Sequence, residues 1–274
     1  MSECVGLKYI LNTRELPVSE FNDDILQSGK VVYEVIRVEE GVPLFVEDYL
    51  DRLEKTIHLS GINVDLSRNH ILESILRLIR INDHKSGPVK LMLSSDDFLL
   101  HYMKPYLPDT DGYISGVKTI FMHEERINPN AKVWNAVFRE KIIAALKQSG
   151  AYEAILVSKN QEITEGSRSN VFFVKGDELF TAPASTVLPG ITRMKVLKAC
   201  SLVGIKVNEV PLPFGEIRNF ESAFLTGTSR KVLPICQIDD LIFHADNELV
   251  KTISAKFEEI TAGYISSWKS KTKT

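Results

Sequence analysis

The chain has 274 residues, a formal net charge of −3 at pH 7 and 44% hydrophobic residues, which is the composition of an ordinary globular protein long enough for two lobes. The balanced charge leaves no polybasic surface, so we expect no nucleic-acid partner. No window approaches the roughly 18 consecutive apolar residues that a membrane helix needs, and the first residues lack a signal-peptide pattern. Three widely spaced cysteines form no disulfide framework, so we expect a cytoplasmic protein without a membrane partner.

The first part of the chain alternates short strands and amphipathic helices. Its predicted elements are, in chain order, a hairpin over 31–46 with a Glu-Glu-Gly turn, helices over 47–61 and 69–82, and a strand over 89–93. The first helix carries Leu50, Leu53 and Ile57 on one face and ends at Gly61. These elements predict a compact lobe of mixed strands and helices.

The regular pattern of strands and helices is interrupted in the next segment. Prolines and an Asp-Thr-Asp-Gly turn interrupt residues 104–131, although 117–122 is strand-like. We place the lobe boundary in this region. The sequence therefore predicts a small N-terminal lobe of residues 1–125 and a larger C-terminal lobe of residues 126–274.

The second part has more short strands. Its predicted elements are a helix over 137–148, a strand over 154–158, a Gly-Asp hairpin over 171–181, a helix from 191 that stops at Gly204, strands over 222–226 and 232–236, and a helix near 248–264. Because both halves contain many short strands, we expect an α+β fold rather than a doubly wound sheet.

Three segments suit a phosphate group. At Leu-Pro-Gly-Ile-Thr-Arg, Ile191 and Thr192 begin a helix whose N–H groups favour an anion. At Thr-Gly-Thr-Ser, Gly227 and Thr228 end a strand and let the backbone approach a ligand closely. Arg52 offers a planar fork of donors. Each segment also has a structural explanation, namely a capped helix, a tight turn and a surface salt bridge.

The absent motifs narrow the choice of cofactor. The sequence contains no phosphate-binding P-loop, no dinucleotide glycine motif and no His-Glu-x-x-His, and its six histidines are scattered, so we expect no metal site. A phosphate without a metal raises pyridoxal phosphate as the candidate cofactor. That cofactor needs a lysine for its Schiff base and an acid beside its ring nitrogen.

Two residues fit those requirements. Glu165, in Ile-Thr-Glu-Gly-Ser-Arg-Ser-Asn directly before an apolar strand, suits the acid, although the stretch also fits a polar turn capped by Ser167 and Asn170. Lys132 lies beside Trp134 and before a helix, where desolvation would lower the pKa of its amine.

The chain from Lys132 through the Glu165 segment, Leu-Pro-Gly-Ile-Thr-Arg and Leu-Thr-Gly-Thr-Ser to Val-Leu-Pro-Ile resembles the class IV (fold type IV) pyridoxal-phosphate aminotransferases. This family includes branched-chain and D-amino-acid aminotransferases and aminodeoxychorismate lyases. The resemblance covers most of residues 130–240 and extends to the first lobe through Tyr-Glu-Val-Ile-Arg-Val and Leu-Asp-Arg-Leu. It implies a small N-terminal α/β lobe, a larger C-terminal lobe with a β-barrel-like core, a cofactor between them, and a homodimer.

The resemblance also implies residue roles. Lys132 would be the Schiff-base lysine and would carry the proton between the substrate Cα and the cofactor C4′. Glu165 would pair with the pyridinium nitrogen. The phosphate would be held by Arg52, Ile191, Thr192, Gly227 and Thr228.

The chain departs from the family in its substrate-facing segments. Residues 21–30 lack the Arg-Gly-x-x-Tyr-Gly-Asp-Gly-like stretch of many members, and residues 91–102 lack the Arg-x-His pair of D-amino-acid members. Lyase members tend to have hydroxyl residues where residues 33–35 read Tyr-Glu-Val, which disfavours the lyase. Candidate substrate contacts are Tyr33, Arg37 and Lys90. Each of the three also fits a strand residue that faces core or solvent.

The sequence therefore predicts a transfer of an amino group from an amino acid to a 2-oxo acid by a ping-pong route. We expect a branched-chain or otherwise apolar substrate, because no second charge is evident to bind a dicarboxylate. One alternative is aminodeoxychorismate lyase, which uses the same cofactor to eliminate pyruvate. The other is a homologue that binds the cofactor without turnover.

Overall fold

The computed structural model describes residues 3–22 and 29–271, and the chain forms two compact units. The first unit comprises Met1–Tyr106, Ala131–Trp134 and Thr261–Thr274, and the second comprises Leu107–Asn130 and Asn135–Ile260. Much of the segment 21–30, where the sequence departs from the resembled family, lies outside the described residues.

Each of these units is assembled from separate parts of the chain. The strand over 117–122 pairs with strands of the second unit, and Val133 forms a β-bridge with Val32 in the first unit. Segments therefore return to the first unit from later in the chain, whereas the predicted lobes are continuous. The division into lobes 1–125 and 126–274 stays a prediction.

The first unit contains one antiparallel sheet and two long helices. Its elements are β1 (Cys4–Leu11), β2 (Arg14–Pro17), β3 (Val32–Glu39), β4 (Val42–Pro43), α1 (Val46–Ser60), α2 (Arg68–Asn82), β5 (Gly87–Leu93) and β6 (Phe98–Met103). The strand order is β2-β1-β6-β5-β3-β4. The hairpin of β3 and β4 is confirmed, and Glu40 and Gly41 both have positive φ in its turn, as a two-residue type I′ turn requires. The first predicted helix is also confirmed, with Gly61 in the left-handed conformation at its end.

The second unit contains the larger sheet. Its elements are α3 (Gly112–Ser115), β7 (Val117–Met122), α4 (Ala136–Ser149), β8 (Glu153–Val157), β9 (Glu162–Gly166), β10 (Asn170–Lys175), β11 (Glu178–Thr181), α5 (Ile191–Val203), β12 (Val207–Glu209), β13 (Leu212–Pro213), β14 (Ser222–Gly227), β15 (Lys231–Ile238), β16 (Leu241–Ile242) and α6 (Glu248–Lys271). The strand order is β12-β11-β10-β14-β15-β7-β8-β9-β13, with β16 beside β15. The last residues of α6, from Thr261 onward, belong to the first unit.

The centre of the larger sheet is apolar on both faces. Phe172 on β10 and Phe224 on β14 pair directly in register, and their rings stack with centroids 5.1 Å apart. Phe173, the next residue along β10, belongs to a separate buried cluster on the opposite face. Burying a side chain of this kind stabilises the fold by about 1.5–3 kcal/mol. The two strands are thereby fixed, and their ends carry Asn170 and Thr226.

The α+β fold class is confirmed by these two mixed assemblies of strands and helices. The β-barrel-like core stays a prediction. Within the described ranges, every helix is too short or too polar to traverse a lipid bilayer.

Candidate active site

The carboxylate of Glu165 is buried at the end of β9, in the second unit. Its Oε2 accepts hydrogen bonds from the Asn170 side-chain amide at 3.3 Å and from the Leu188 backbone N–H at 3.2 Å. Its Oε1 lies 3.0 Å from Nε of Arg126. The side chain therefore points inward, and its charge is balanced by a guanidinium that no sequence pattern indicated.

Asn170 joins the Glu165 segment to the start of α5. Its amide donates to the Leu188 carbonyl at 2.9 Å as well as to Glu165. A Cβ at position 190 would lie 2.2 Å from Oδ1 of Asn170, so only glycine fits there without displacing the amide. The alternative of a turn capped by Asn170 does not account for these contacts, because the amide donates to the Glu165 carboxylate and to a carbonyl 18 residues away.

The helix start after Gly190 suits an anion. Gly190 is the N-terminal cap of α5 and provides no side-chain acceptor for the first turn. The first N–H groups of a helix have no intrahelical acceptor and carry the positive end of its dipole. Ile191 and Thr192, the first two residues of α5, are both buried.

The end of β14 lies beside this helix start. Strand register places Thr226 directly opposite Asn170, and Gly227 and Thr228 follow. The Thr226 hydroxyl is buried and has no hydrogen-bond partner among the described residues. The second unit thus brings three of the predicted segments together: Glu165, the start of α5, and the end of β14.

Lys132 lies in the first unit, on a short segment that runs beside β3. The Tyr33 N–H donates to the Lys132 carbonyl at 3.0 Å, and the Trp134 N–H donates to the Val31 carbonyl at 2.8 Å. The Lys132 N–H donates to Oγ1 of Thr56 on α1 at 3.3 Å. Its amine is half-buried and lies 4.6 Å from the centroid of the Tyr33 ring. The backbone of β3 and α1 therefore fixes the position of this lysine.

Arg52 is one helical turn from Thr56 on α1. Its Nε and Nη2 bind the carboxylate of Glu34 at 2.8 Å and 2.5 Å, and both side chains are buried. The explanation as a surface salt bridge is therefore wrong. Burial by itself lowers the pKa of Arg52, but the Glu34 carboxylate outweighs burial and raises that pKa. The role of Arg52 toward a phosphate stays a prediction.

The three candidate substrate contacts lie on one face of the first unit's sheet. Tyr33, Arg37 and Lys90 share this face because Tyr33 and Arg37 are an even number of residues apart on β3, and Lys90 pairs with Val35 between them. Arg37 binds Glu39 at 2.8 Å. Lys90 is 4% exposed, and its amine lies 2.8 Å from Glu3 Oε2.

Aromatic rings connect this face to Lys132. The amine of Lys90 lies 4.2 Å from the centroid of the Trp134 ring. The rings of Trp134 and Tyr33 meet edge to face at 5.5 Å, and Tyr33 in turn contacts the Lys132 amine. The structure therefore gathers Tyr33 and Lys90 around the lysine segment, whereas Arg37 lies further along β3.

The predicted site residues have the chemical groups that pyridoxal phosphate requires. The buried Thr226 hydroxyl lacks a partner among the described residues, and the uncapped start of α5 provides N–H groups for an anion. Glu165 provides a buried carboxylate for a cationic ring nitrogen. Lys132 is half-buried and carries the amine that a Schiff base requires.

Comparison with known proteins identifies the class of this protein. The family Amino-transferase class IV matches residues 31–238. A D-alanine aminotransferase of Bacillus licheniformis is 29% identical over 252 residues, which cover 85% of this chain and 89% of that protein. A putative branched-chain-amino-acid aminotransferase of Methanocaldococcus jannaschii is 26% identical, over 91% of this chain and 93% of that protein.

Solved structures agree on the fold. The Escherichia coli branched-chain amino acid aminotransferase has a TM-score of 0.82 at 21% identity, over 94% of this chain and 95% of that one. Another branched-chain amino acid aminotransferase, solved with pyridoxamine 5′-phosphate, has the same TM-score at 20% identity, over 95% of this chain and 96% of that one. A putative 4-amino-4-deoxychorismate lyase from Legionella pneumophila has a TM-score of 0.76 at 20% identity, over 87% of this chain and 97% of that one. The chain belongs to the class IV amino-transferase family, and it is an aminotransferase.

Proposed function

We propose that this aminotransferase uses pyridoxal 5′-phosphate to move an amino group from an amino acid to a 2-oxo acid. The observation that carries the proposal is the buried Glu165 carboxylate, which is held by Asn170, Leu188 and Arg126 near the start of α5, where the cap residue provides no side-chain acceptor. A carboxylate in this setting is suited to a cationic ring that carries a phosphate. When bound, pyridoxal phosphate withdraws electrons from the substrate and makes its Cα proton acidic.

Each protein group then has a stated task. Glu165 would keep the ring nitrogen protonated. Lys132 would hold the cofactor covalently and would carry the proton between the substrate Cα and C4′. The phosphate would be held by Ile191, Thr192, Gly227, Thr228 and Arg52.

The surroundings of the Lys132 amine support a role in proton transfer. Its backbone is bonded on both sides, to Tyr33 and to Thr56, so the side chain starts from a fixed point. The Tyr33 ring covers part of the amine and reduces its contact with water. A positioned amine transfers a proton faster than a mobile one, because less motion is needed to reach the reacting carbon.

We assign substrate binding to the sheet face that carries Tyr33 and Lys90, with Arg37 as a third contact. Tyr33, Trp134 and Met92 belong to one apolar cluster, which favours a branched-chain or otherwise apolar side chain. Lys90 is a buried cation on that face, and we assign it to a substrate carboxylate.

The family resemblance supports a proposal on assembly, and the composition supports one on location. We propose a homodimer in the cytoplasm. Light scattering after size-exclusion chromatography would test the dimer, and a monomeric active enzyme would contradict it.

The first experiment is an absorption spectrum of the purified protein, followed by borohydride reduction and peptide mapping. We expect a yellow protein that bleaches on reduction and carries a pyridoxyl group on Lys132. A colourless protein that takes up no added pyridoxal phosphate would contradict the proposal. A pyridoxyl group on another lysine would contradict only the assignment of Lys132.

The lyase alternative rests on the family resemblance and on the fold shared with a putative 4-amino-4-deoxychorismate lyase. Its test is pyruvate release from aminodeoxychorismate without a 2-oxo acid acceptor. We expect no such release, and amino transfer between an amino acid and a 2-oxo acid instead.

A further inference from the structure

A fully buried carboxylate lies outside the site already described. Glu153 is the first residue of β8 and is 0% exposed. It accepts hydrogen bonds from the hydroxyl of Ser167 and, at 3.3 Å, from the hydroxyl of Ser169. It also forms an ion pair with Nη1 of Arg230, and Nε of Arg168 lies 3.9 Å away. A buried charge is costly unless it is paired and hydrogen-bonded, so this arrangement requires all of its partners.

The serine partners of Glu153 belong to the turn that follows Glu165. We call residues 166–169 the acid turn. The Ser167 N–H donates to the Ala154 carbonyl at 2.8 Å, so the turn is also bound to the backbone of β8. Within the turn, a Cβ at position 166 would lie 2.0 Å from the Ser169 hydroxyl oxygen. The acid turn is therefore tightly packed around the side chain of Glu153.

The arginine partner of Glu153 belongs to a different segment. Arg230 directly follows residues 226–229, which we call the phosphate turn. Arg230 is 4% exposed, and its guanidinium lies 5.3 Å from the centroid of the Tyr152 ring. A Cβ at Gly227 would lie 3.4 Å from Cγ of Arg230, so the arginine stem packs under the phosphate turn. Glu153 thus contacts the acid turn and the residue that supports the phosphate turn.

We propose that the Glu153–Arg230 ion pair positions the phosphate turn, and that Arg230 is a positioning residue for cofactor binding. The inference rests on the proposed use of pyridoxal phosphate. A ligand phosphate is recognised by backbone and hydroxyl groups whose placement must be accurate to a fraction of an ångström. The ion pair ties the phosphate turn to β8, to which the acid turn is also bound. The buried Glu153 carboxylate therefore fixes the distance between the acid turn and the phosphate turn.

The test compares four variants with the wild-type protein: Arg230→Met, Arg230→Lys, Glu153→Gln, and the double variant Glu153→Gln/Arg230→Met. The dissociation constants of pyridoxal phosphate and of pyridoxal, which lacks the phosphate, are measured at a temperature well below unfolding. Thermal unfolding of the cofactor-free proteins is measured alongside. The matched control is Lys231→Met, which removes the neighbouring, partly exposed ion pair with Glu258.

We expect Arg230→Met and Glu153→Gln to weaken pyridoxal phosphate binding about tenfold or more and to lower the unfolding temperature. In the double variant no buried charge of the pair is left alone, so the unfolding temperature recovers toward wild type while binding stays weak. Pyridoxal binding changes much less. Arg230→Lys restores part of the affinity, since an ammonium can replace one bond of the guanidinium but not its planar fork.

Wild-type affinity in the stable double variant would overturn the inference, because the pair would then stabilise the fold without positioning the turn. An equal loss of affinity for pyridoxal and pyridoxal phosphate, or the same loss in Lys231→Met, would also overturn it. A wild-type protein that binds no pyridoxal phosphate would overturn the proposed cofactor itself, and with it this inference. The two failures are therefore distinguishable.

Discussion

Nε of Arg126 lies 3.0 Å from Oε1 of Glu165, and the exposed fractions of the two side chains are 17% and 3%. Arg126 also donates from Nη2 to the Ser167 carbonyl and lies against the Phe138 ring. The guanidinium is therefore fixed, and a fixed positive charge favours the ionised form of a neighbouring carboxylate. Glu165 can keep its charge in a buried setting and remain an acceptor for a ring nitrogen.

Replacing Glu165 with Gln should leave the cofactor bound but slow proton removal from the substrate Cα, by about 10²-fold or more. The amide lacks the negative charge that keeps a ring nitrogen protonated. Stopped-flow absorption during a single turnover with an amino acid measures this step. Glu162→Gln, on the same strand but half-buried, is the matched control and should react at the wild-type rate. An unchanged rate in Glu165→Gln would show that Glu165 is not needed to keep the ring nitrogen protonated.

Replacing Lys132 with Ala should abolish amino transfer, because no amine remains to hold the cofactor covalently and to move the proton. Lys141→Ala, an exposed position on α4, provides the control and should keep full activity. Both variants are assayed with the same amino acid and 2-oxo acid pair at saturating cofactor. Full activity in Lys132→Ala would show that a different lysine serves the reaction.

Replacing Gly190 with Ala should destabilise the site. The added Cβ would lie 2.2 Å from Oδ1 of Asn170, whose amide already bonds to Glu165 and Leu188. Overpacking of this kind costs about 1–3 kcal/mol of stability, and the displaced amide should also weaken cofactor binding. Urea unfolding and cofactor titration measure the two effects.

The control for this substitution is Gly215→Ala, where an added Cβ meets nothing within 4 Å. It should be close to neutral in both measurements. Equal behaviour of the two alanine variants would show that Asn170 can move aside without consequence.

Replacing Lys90 with Met should raise KM for the amino acid by about tenfold while kcat changes less, because the variant loses a charge-assisted contact to a carboxylate. Lys90→Arg keeps the charge and should restore most of the affinity. Lys8→Met removes an exposed lysine of the same unit and should have no effect. An unchanged KM in Lys90→Met would show that Lys90 pairs with Glu3 and does not bind the substrate carboxylate.

Replacing Glu153 with Gln should change the pH dependence of stability. Burial by itself raises the pKa of Glu153, but Arg230, Arg168 and the Ser167 hydroxyl outweigh burial and hold the pKa below its usual range. A carboxyl whose pKa is lowered by folding stabilises the fold above its unfolded pKa of about 4.3. That stabilisation is lost as the pH falls through the lower pKa of the folded state.

The free energy of unfolding of the wild-type protein should therefore be about 3–5 kcal/mol higher than that of Glu153→Gln near neutral pH, since the amide leaves Arg230 buried without its counter-charge. The difference should narrow as the pH falls below about 4. Urea unfolding across this range measures it, with the exposed Glu216→Gln as the control. A difference that is constant with pH would contradict the lowered pKa.

Local patterns in the sequence predicted most helices and hairpins correctly. The helix that stops at Gly204 and the Gly-Asp hairpin are both confirmed, because each depends on a turn glycine and on nearby apolar periodicity. Strand β1 was missed, since its pairing with β6 joins residues about 90 positions apart. The closing helix runs seven residues beyond the predicted end, to Lys271. At the predicted end, the Tyr264 ring packs against Phe45, the residue that precedes α1.

The site shows the same division between local and distant information. The sequence assigned Glu165 to the ring nitrogen through its resemblance to the class IV aminotransferases, since the local stretch by itself also fits a polar turn. It did not predict Arg126, whose contact with Glu165 spans 39 positions and has no periodic signal. The buried hydroxyl of Thr226 was also missed, because strand register against Asn170 places it. An arginine six residues before the lysine was visible, but nothing local distinguished it from a surface residue.

The return of residues 131–134 to β3 limits how the protein can be divided. Val31 and Tyr33 bond to Trp134 and Lys132, and the N–H of Val46 bonds to Tyr264 from α6. A fragment that ends at residue 106 contains all six strands of its sheet but lacks both of these closing segments. Such a piece would expose an unpaired edge beside β3 and the apolar ring of Phe45. The first unit therefore needs segments from later in the chain, and we do not expect the fragment that ends at residue 106 to fold on its own.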